Sequence, residues 1–328
     1  RSSKNKFEFG GKMNENAVDL IKETLKFESM DEFESRYTNP IHKYVEEEGK
    51  AIAHLGCDKR TLFSPEGEIS GGFMLDNSVV EEKRKQGIFT ALYKEFEEEN
   101  GDIDLFFGFP LQYELLNLVD KQDYSIVGEA QVFAKILNSS DIMQGHSVLG
   151  TIASFINKIR DKRSKTLDIS TVNVSKTKNL DDVLDFDGKT LADGKIYTKR
   201  TKDFLSKRLE HWGDCEILVA KTGDEFYGYL IYRFIERNDI KYFMTMDILA
   251  KDEVSFEALV SKLVEIGREK AVSLVGICQN SVYSASLKRL GFSFARSSIP
   301  VVAKKKNVDF DIKNINNWYL QPIEGEIY

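Results

Sequence analysis

Arg84, Lys85 and Gly87, set between an apolar run and an amphipathic one, are the residues of this chain best suited to hold an anion. Residues 70–100 read SGGFMLDNSVVEEKRKQGIFTALYKEFEEEN: an apolar strand over 72–80, a charged turn, then a helix. Phe89, Leu92, Tyr93 and Phe96 recur at i, i+3, i+4 and i+7, which puts them on one face of that helix. The first amides of a helix have no carbonyl partner, and its dipole adds partial positive charge at the same spot. Phosphates bind there readily. Arg84 and Lys85 contribute full charges, and Gly87 has no Cβ to keep a phosphate off the backbone. The four residues RKQG alone favour a solvated turn capping a surface helix; the strand before them and the helix after them raise the anion reading.

The flanking elements must hold this turn in place. A short strand over 7–9 precedes a helix over 14–26, whose Val18, Ile21 and Leu25 lie at helical spacing. A second helix over 31–37 ends before Asn39-Pro40, because the residue preceding a proline disfavours helical geometry. Residues 42–47 and 50–61 form a hairpin turned at Glu48-Gly49. Beyond the central helix, Asn100-Gly101 supplies a left-handed stop. An apolar strand over 103–107 follows, then a turn at Gly108-Phe109-Pro110, a helix over 113–121 and a strand over 125–137. Residues 139–166 carry an apolar stripe at helical spacing and a basic end, which suits a linker helix with a solvated terminus.

With 328 residues the chain can bury two sizeable cores. Its net charge of -7 attracts neither nucleic acid nor an anionic membrane. Cys57, Cys215 and Cys278 are far apart and set in apolar runs, the pattern of reduced core residues in a reducing, cytoplasmic compartment. No apolar run reaches membrane-spanning length, and residues 1–12 carry no signal-peptide pattern. The chain opens on Arg1 rather than on a methionine, as after removal of an upstream segment or tag. His42, His54, His146 and His211 are scattered, without metal spacing to Cys or Asp, so no metal is expected. No GxSxG elbow is present. The abundant phenylalanines read as core, since no basic stripe accompanies them.

The run from Val79 to Leu92 resembles motif A of the GNAT superfamily of acyltransferases, whose pattern is Arg or Gln, two residues, Gly, one residue, then Gly or Ala. Arg84 and Gly87 match, while Phe89 replaces the last small residue. The sequence GIF, the later Gly108-Phe109-Pro110, the upstream Asn39-Pro40 and the Trp318 region are similar to the tandem-domain members. The resemblance implies an α/β fold: two GNAT-like domains in tandem, each a mixed, mostly antiparallel sheet flanked by helices. It also implies a V-shaped gap between the motif A strand and the next. There the backbone of Leu75, Val79 and Val80 would pair with the pantetheine arm of acetyl-coenzyme A, and the amides of Gln86, Gly87, Ile88, Phe89 and Thr90, with Arg84 and Lys85, would hold its pyrophosphate.

From residue 167 the order of elements begins again. A strand over 167–174 is followed by helical segments over 178–186 and 201–211, and by strands over 216–221, 226–236 and 241–249. A helix over 254–270, a strand over 272–278, a helix over 282–290 and a strand over 299–304 complete it. The division is therefore an acyl-CoA-binding domain over 1–138, a linker over 139–166, a degenerate domain over 167–306 and a tail over 307–328. At the second motif A position stands AKDEV, with no glycine and two carboxylates, Asp252 and Glu253, that would repel a diphosphate.

Amide formation requires a neutral amine, a polarised thioester and a protonated leaving thiolate. The resemblance implies a carboxylate base near the motif A strand, for which Asp76 is best placed by sequence; as a strand-end residue bonding the backbone it would serve structure instead. The superfamily's usual acid is a tyrosine shortly before the late Gly-Phe. Val119 and Leu287 stand in those places, which leaves Tyr113 and Tyr124 as nearby substitutes. The expected activity is N-acyl transfer from acetyl-coenzyme A to an amine of a small molecule or amino sugar, by a monomer or homodimer. The alternatives are a Fem-like peptidyl transferase using aminoacyl-tRNA, against which the lack of a basic surface and of a long coiled-coil arm speaks, and a non-catalytic binding protein of the same fold.

Overall fold

The computed structural model describes residues 8–10, 15–25, 29–110, 122–138, 167–184, 190, 192–237, 239–279 and 281–325. In chain order these carry β1 Glu8–Gly10, α1 Glu15–Leu25, α2 Met30–Ser35, β2 Pro40–Glu47, β3 Lys50–Ser64, β4 Gly67–Val79, α3 Ile88–Glu99, β5 Leu105–Gly108 and β6 Ser125–Ile136. Then come β7 Asn173–Thr177, α4 Asp181–Leu184, β8 Tyr197–Thr198, α5 Lys202–Trp212, β9 Cys215–Thr222, β10 Glu225–Arg237, β11 Ile240–Ala250, α6 Glu253–Glu269, β12 Leu274–Gln279, α7 Ser284–Arg289 and β13 Ser293–Lys305. The chain divides into two compact units, residues 1–127 with 301–313, and 128–300 with 314–328. This differs from the chain-order division at 138 and 167 because β6 and β13 each run from one unit into the other.

In the first unit β1 to β4 form an antiparallel meander, and β5 adds to β4 in parallel. The C-terminal part of β13 closes it antiparallel to β5, pairing Val302 with Gly108 and Lys305 with Leu105. The β2–β3 turn places Glu48 and Gly49 at φ 53 and 75, the left-handed values a two-residue hairpin needs. Strand alternation then sorts side chains to two faces. Val45, Ala53, Leu55 and Cys57 join Ile88, Leu92, Tyr93 and Phe96 of α3 in one core. Lys43 is anchored on that face by Glu95 at 2.9 Å and Glu99 at 2.6 Å. The opposite face receives α1, whose Ala17 and Leu20 meet Tyr44 and Ala51.

The second unit repeats the plan. β7, β9, β10 and β11 are antiparallel, and β12 lies parallel to β11 and antiparallel to β6. The first strand of this half begins at Asn173 rather than residue 167, and β13 begins six residues ahead of the expected 299. The expected helices over 113–121 and 139–166 lie outside the described residues.

Candidate functional site

β4 carries an irregularity that sets up the site. His54 pairs with Ser78 but Gly56 pairs with Leu75, so Asp76 and Asn77 together stand opposite the single residue Leu55. Asp76 has φ 55, and such a bulge turns a side chain away from regular alternation. Several partners fix it. Arg36 Nη1 lies 2.6 Å from Asp76 Oδ1, the Tyr37 hydroxyl donates to Oδ2 at 3.0 Å, and Gly56 N–H donates to Asn77 Oδ1 at 3.3 Å. Burial and then the Asp76 carboxylate hold the Tyr37 phenol well above its usual range, so it remains a donor.

Asp76 therefore stands at the predicted place with its carboxylate already committed. Its side chain is 4 % exposed and clamped between a guanidinium and a phenol. Each carboxylate oxygen that could take a substrate proton already faces one of these donors. Tyr113, the other expected catalytic residue, lies outside the described residues. Tyr124 is half-buried and accepts a hydrogen bond from Tyr93 at 2.7 Å.

Ahead of the bulge, β4 loses its parallel neighbour. Pairing with β5 covers Gly71, Gly72 and Phe73 against Leu105, Phe106 and Phe107. β5 stops at Gly108, where an added Cβ would lie 3.0 Å from Met74 O, whereas β4 continues to Val79. Residues 74–79, including Leu75 and Val79, thus have β3 on one side and no strand partner on the other among the described residues. Val80 N–H bonds Ile52 O at 3.0 Å and ends the strand.

The turn that follows is open. A single 3-10 turn, Glu81–Lys83, is closed by Arg84 N–H to Glu81 O at 3.2 Å; Lys85 and Gly87 then take φ 63 and 79, and α3 begins. Gly87 caps α3 without a side-chain hydrogen bond, and a Cβ built on it would meet nothing within 4 Å. Among the described residues the amides of Gln86, Gly87, Ile88, Phe89 and Thr90 have no acceptor. Arg84 Nε donates to Val79 O at 3.2 Å, Gln86 Nε2 donates to Glu82 O at 2.9 Å, and Lys85 is exposed. The substitution at Phe89 leaves the turn clear, because its ring packs on the α3 core beside Tyr93, 6.4 Å between centroids. Five open amides, two cations and a left-handed glycine make a surface for a diphosphate.

Two of the supposedly scattered histidines meet at this site. His42 Nδ1 lies 3.2 Å from His54 Nε2, and His54 Nδ1 lies 2.8 Å from Asp76 O. A carbonyl only accepts, so His54 carries its proton on Nδ1 and accepts from His42 through Nε2. That leaves the lone pair of His42 on Nε2. Burial lowers His42 to about 4 and His54 to about 3, so both are neutral near pH 7. Phe33 and Tyr37 of the α2 region flank His42 at 5.5 Å and 4.8 Å.

In the second unit the corresponding positions are filled. Asp252 Oδ1 accepts the amide of Ser255 at 2.8 Å and Ser255 Oγ accepts that of Asp252 at 3.3 Å, so the α6 start is capped by its own carboxylate. β11 pairs with β12 only from Tyr242–Leu274 to Thr245–Ile277; past that point the Tyr319 hydroxyl of the C-terminal tail donates to Ile248 O. The tail is anchored further by Glu324, 2.8 Å from Arg200, which also binds Asp247 at 2.8 Å. Tyr229 donates to Asp247 at 2.7 Å, so an Arg–Asp–Tyr cluster stands beside the bulge of each unit.

Among the described residues no group of His, Cys, Asp and Glu could hold a metal, and no helix is long and apolar enough to cross a membrane. All three cysteines are free, and burial pushes Cys278 up to about 12 and Cys215 up to about 11, which leaves them unreactive thiols.

Among solved structures the chain is similar to a GCN5-related N-acetyltransferase from Anabaena variabilis, with 13% sequence identity over 92% of this chain and 73% of that one, TM-score 0.66. It is similar also to a tandem GNAT protein from the clavulanic acid biosynthesis pathway, with 12% identity over 93% and 100%, TM-score 0.52. Saccharomyces cerevisiae N-myristoyltransferase, solved with myristoyl-CoA, matches at 11% identity over 91% and 82%, TM-score 0.54. No family profile and no curated protein matches the sequence. At these identities the likeness concerns architecture: the chain has the GNAT fold, a mixed and mostly antiparallel sheet flanked by helices.

Proposed function

We propose that this protein is an N-acyltransferase whose first unit binds acetyl-coenzyme A and transfers the acetyl group to an amine of a small molecule or amino sugar. The observation that carries the reading is the juxtaposition of an open, amide-lined helix start with a strand that has lost its parallel neighbour. A diphosphate would rest on the amides of Gln86, Gly87, Ile88, Phe89 and Thr90, with Arg84 and Lys85 completing its charge balance. The pantetheine arm would extend the sheet by pairing with the backbone of Leu75, Val79 and Val80. The thioester would then lie at the bulge, where Arg36 and Tyr37 keep Asp76, and with it the neighbouring backbone, in a fixed orientation. Asp76 thus acts as a positioning residue rather than as the base. Solved neighbours that are acyltransferases support this class, and buried, unreactive thiols suit a cytoplasmic setting.

Calorimetry with acetyl-coenzyme A tests the reading. Binding by the wild type that vanishes in Arg84→Ala combined with Gly87→Glu supports it, together with thiol release across a panel of amines. Binding without thiol release would point to a non-catalytic GNAT-fold protein, and binding of tRNA in place of the coenzyme to a Fem-like transferase.

A further inference from the structure

We infer that His42 is the residue that takes the proton from the acceptor amine, with His54 as the group that fixes its tautomer. The inference rests on the acyl-transfer reading above and deepens it. Three observations carry it. The Asp76 carboxylate, the expected base, is engaged by Arg36 and Tyr37. The hydrogen bonds from the bulge carbonyl through His54 to His42 run in one direction only and leave His42 Nε2 as an unprotonated nitrogen with no partner among the described residues. His42 is half-buried whereas His54 is fully buried, so of the two rings it is the one a substrate can reach.

The faces of the sheet place this nitrogen correctly. Lys43, Leu55 and Cys57 face α3, at whose start the diphosphate would sit. The alternate positions His42 and His54 face Phe33 and Tyr37 on the other side. A coenzyme arm passing beside residues 74–79 leads from the first face to the second and brings its acyl end to the bulge, whose Asp76 carbonyl is the partner of His54. Among the described residues the charged and titratable groups around the pair are Arg36 and Tyr37 after α2, Tyr44 on β2, Asp58 on β3, and Asp76 on β4.

In the step the amine nitrogen bonds the thioester carbon while one N–H proton passes to His42 Nε2. The C–S bond then breaks, and that proton goes to the departing thiolate, which leaves an amide, the free thiol and neutral His42. One imidazole therefore serves both proton transfers.

Diethylpyrocarbonate labelling read by mass spectrometry, with and without saturating acetyl-coenzyme A, tests the placement without needing the acceptor. His42 should be modified before His54, and the coenzyme should slow its modification at least tenfold. Nitrogen NMR of the wild type should show His54 protonated on Nδ1 and His42 on Nδ1. With whichever amine is turned over, His42→Gln should lower kcat about 100-fold while coenzyme affinity by calorimetry changes less than threefold, and His54→Gln should move the pH profile of kcat. An unmodified His42, labelling unaffected by bound coenzyme, the opposite tautomer, or a His42→Gln kcat within threefold of wild type would each overturn the role of His42 while leaving the transferase reading intact. Failure of the wild type to bind acetyl-coenzyme A would remove both.

Discussion

Lowering the pH from 7 to 5 will destabilise the first unit through its buried histidine pair. In the fold, burial holds His42 at about 4 and His54 at about 3, whereas each titrates near 6.5 when unfolded. Between those values the unfolded chain binds protons that the native state refuses, so stability is full above pH 6.5 and falls as the pH falls. At about 1.36 kcal/mol per pH unit, the step from pH 7 to 5 removes about 2 kcal/mol for each ring, or about 4 kcal/mol for the pair. Asp58, which burial raises but Arg60 and the Asn39 amide lower by more, ends below its ordinary range and titrates beneath this window. Urea unfolding at pH 7, 6 and 5 is the assay, comparing wild type with the double variant His42→Gln, His54→Gln. The wild type should lose about 4 kcal/mol more than the variant over the interval. Parallel losses in the two proteins would show that the imidazoles are not held neutral by the fold, and the tautomer argument would go with that result.

Other substitutions probe the geometry. Gly56→Ala would drive a Cβ to 2.7 Å from Leu75 O and onto the Tyr37 hydroxyl; thermal unfolding should show a loss of about 2 kcal/mol or more, since the backbone on one side cannot yield. Gly87→Ala keeps open space around the turn but forces a left-handed alanine, so urea melts should lose about 1 kcal/mol with acetyl-coenzyme A binding weakened but measurable, whereas Gly87→Glu should abolish that binding in calorimetry. Arg36→Met leaves the Asp76 carboxylate buried without its cation and should cost about 3 to 5 kcal/mol by denaturant titration, part of which returns when Asp76→Asn is added.

Elements with local signals were legible in the sequence. The β2–β3 hairpin announced itself by Glu48-Gly49 between apolar runs, and α3 by the spacing of Leu92, Tyr93 and Phe96. The start of α3 was marked by Gly87, whose left-handed φ explains why a glycine stands there. Contacts spanning long stretches of chain left no such trace. Arg36 and Asp76 are forty residues apart, and only the register across three strands and a bulge brings them together. The histidine pair was closer to reach: a hairpin turned at 48–49 sets residues 42 and 54 on neighbouring strands, and what was lacking was the offset between Val45 and Glu46 that fixes which side chains align. Residues 167–172 are apolar enough to read as a strand, but pairing in the second unit begins only at Asn173, opposite Lys221. The tail gave no warning of its destination because Trp318, Tyr319 and Glu324 carry no periodicity that distinguishes a buried strap from a loose end.

The strand that closes the first unit, 301–305, and the strap that lies against β11 both follow residue 300. During synthesis from the N-terminus neither unit can complete its hydrogen bonding until the residues after 300 have been made, so the nascent protein should stay sensitive to protease until then. A fragment stopped at residue 300 should likewise be digested throughout the first unit, although that unit's own helices and first five strands would all be present.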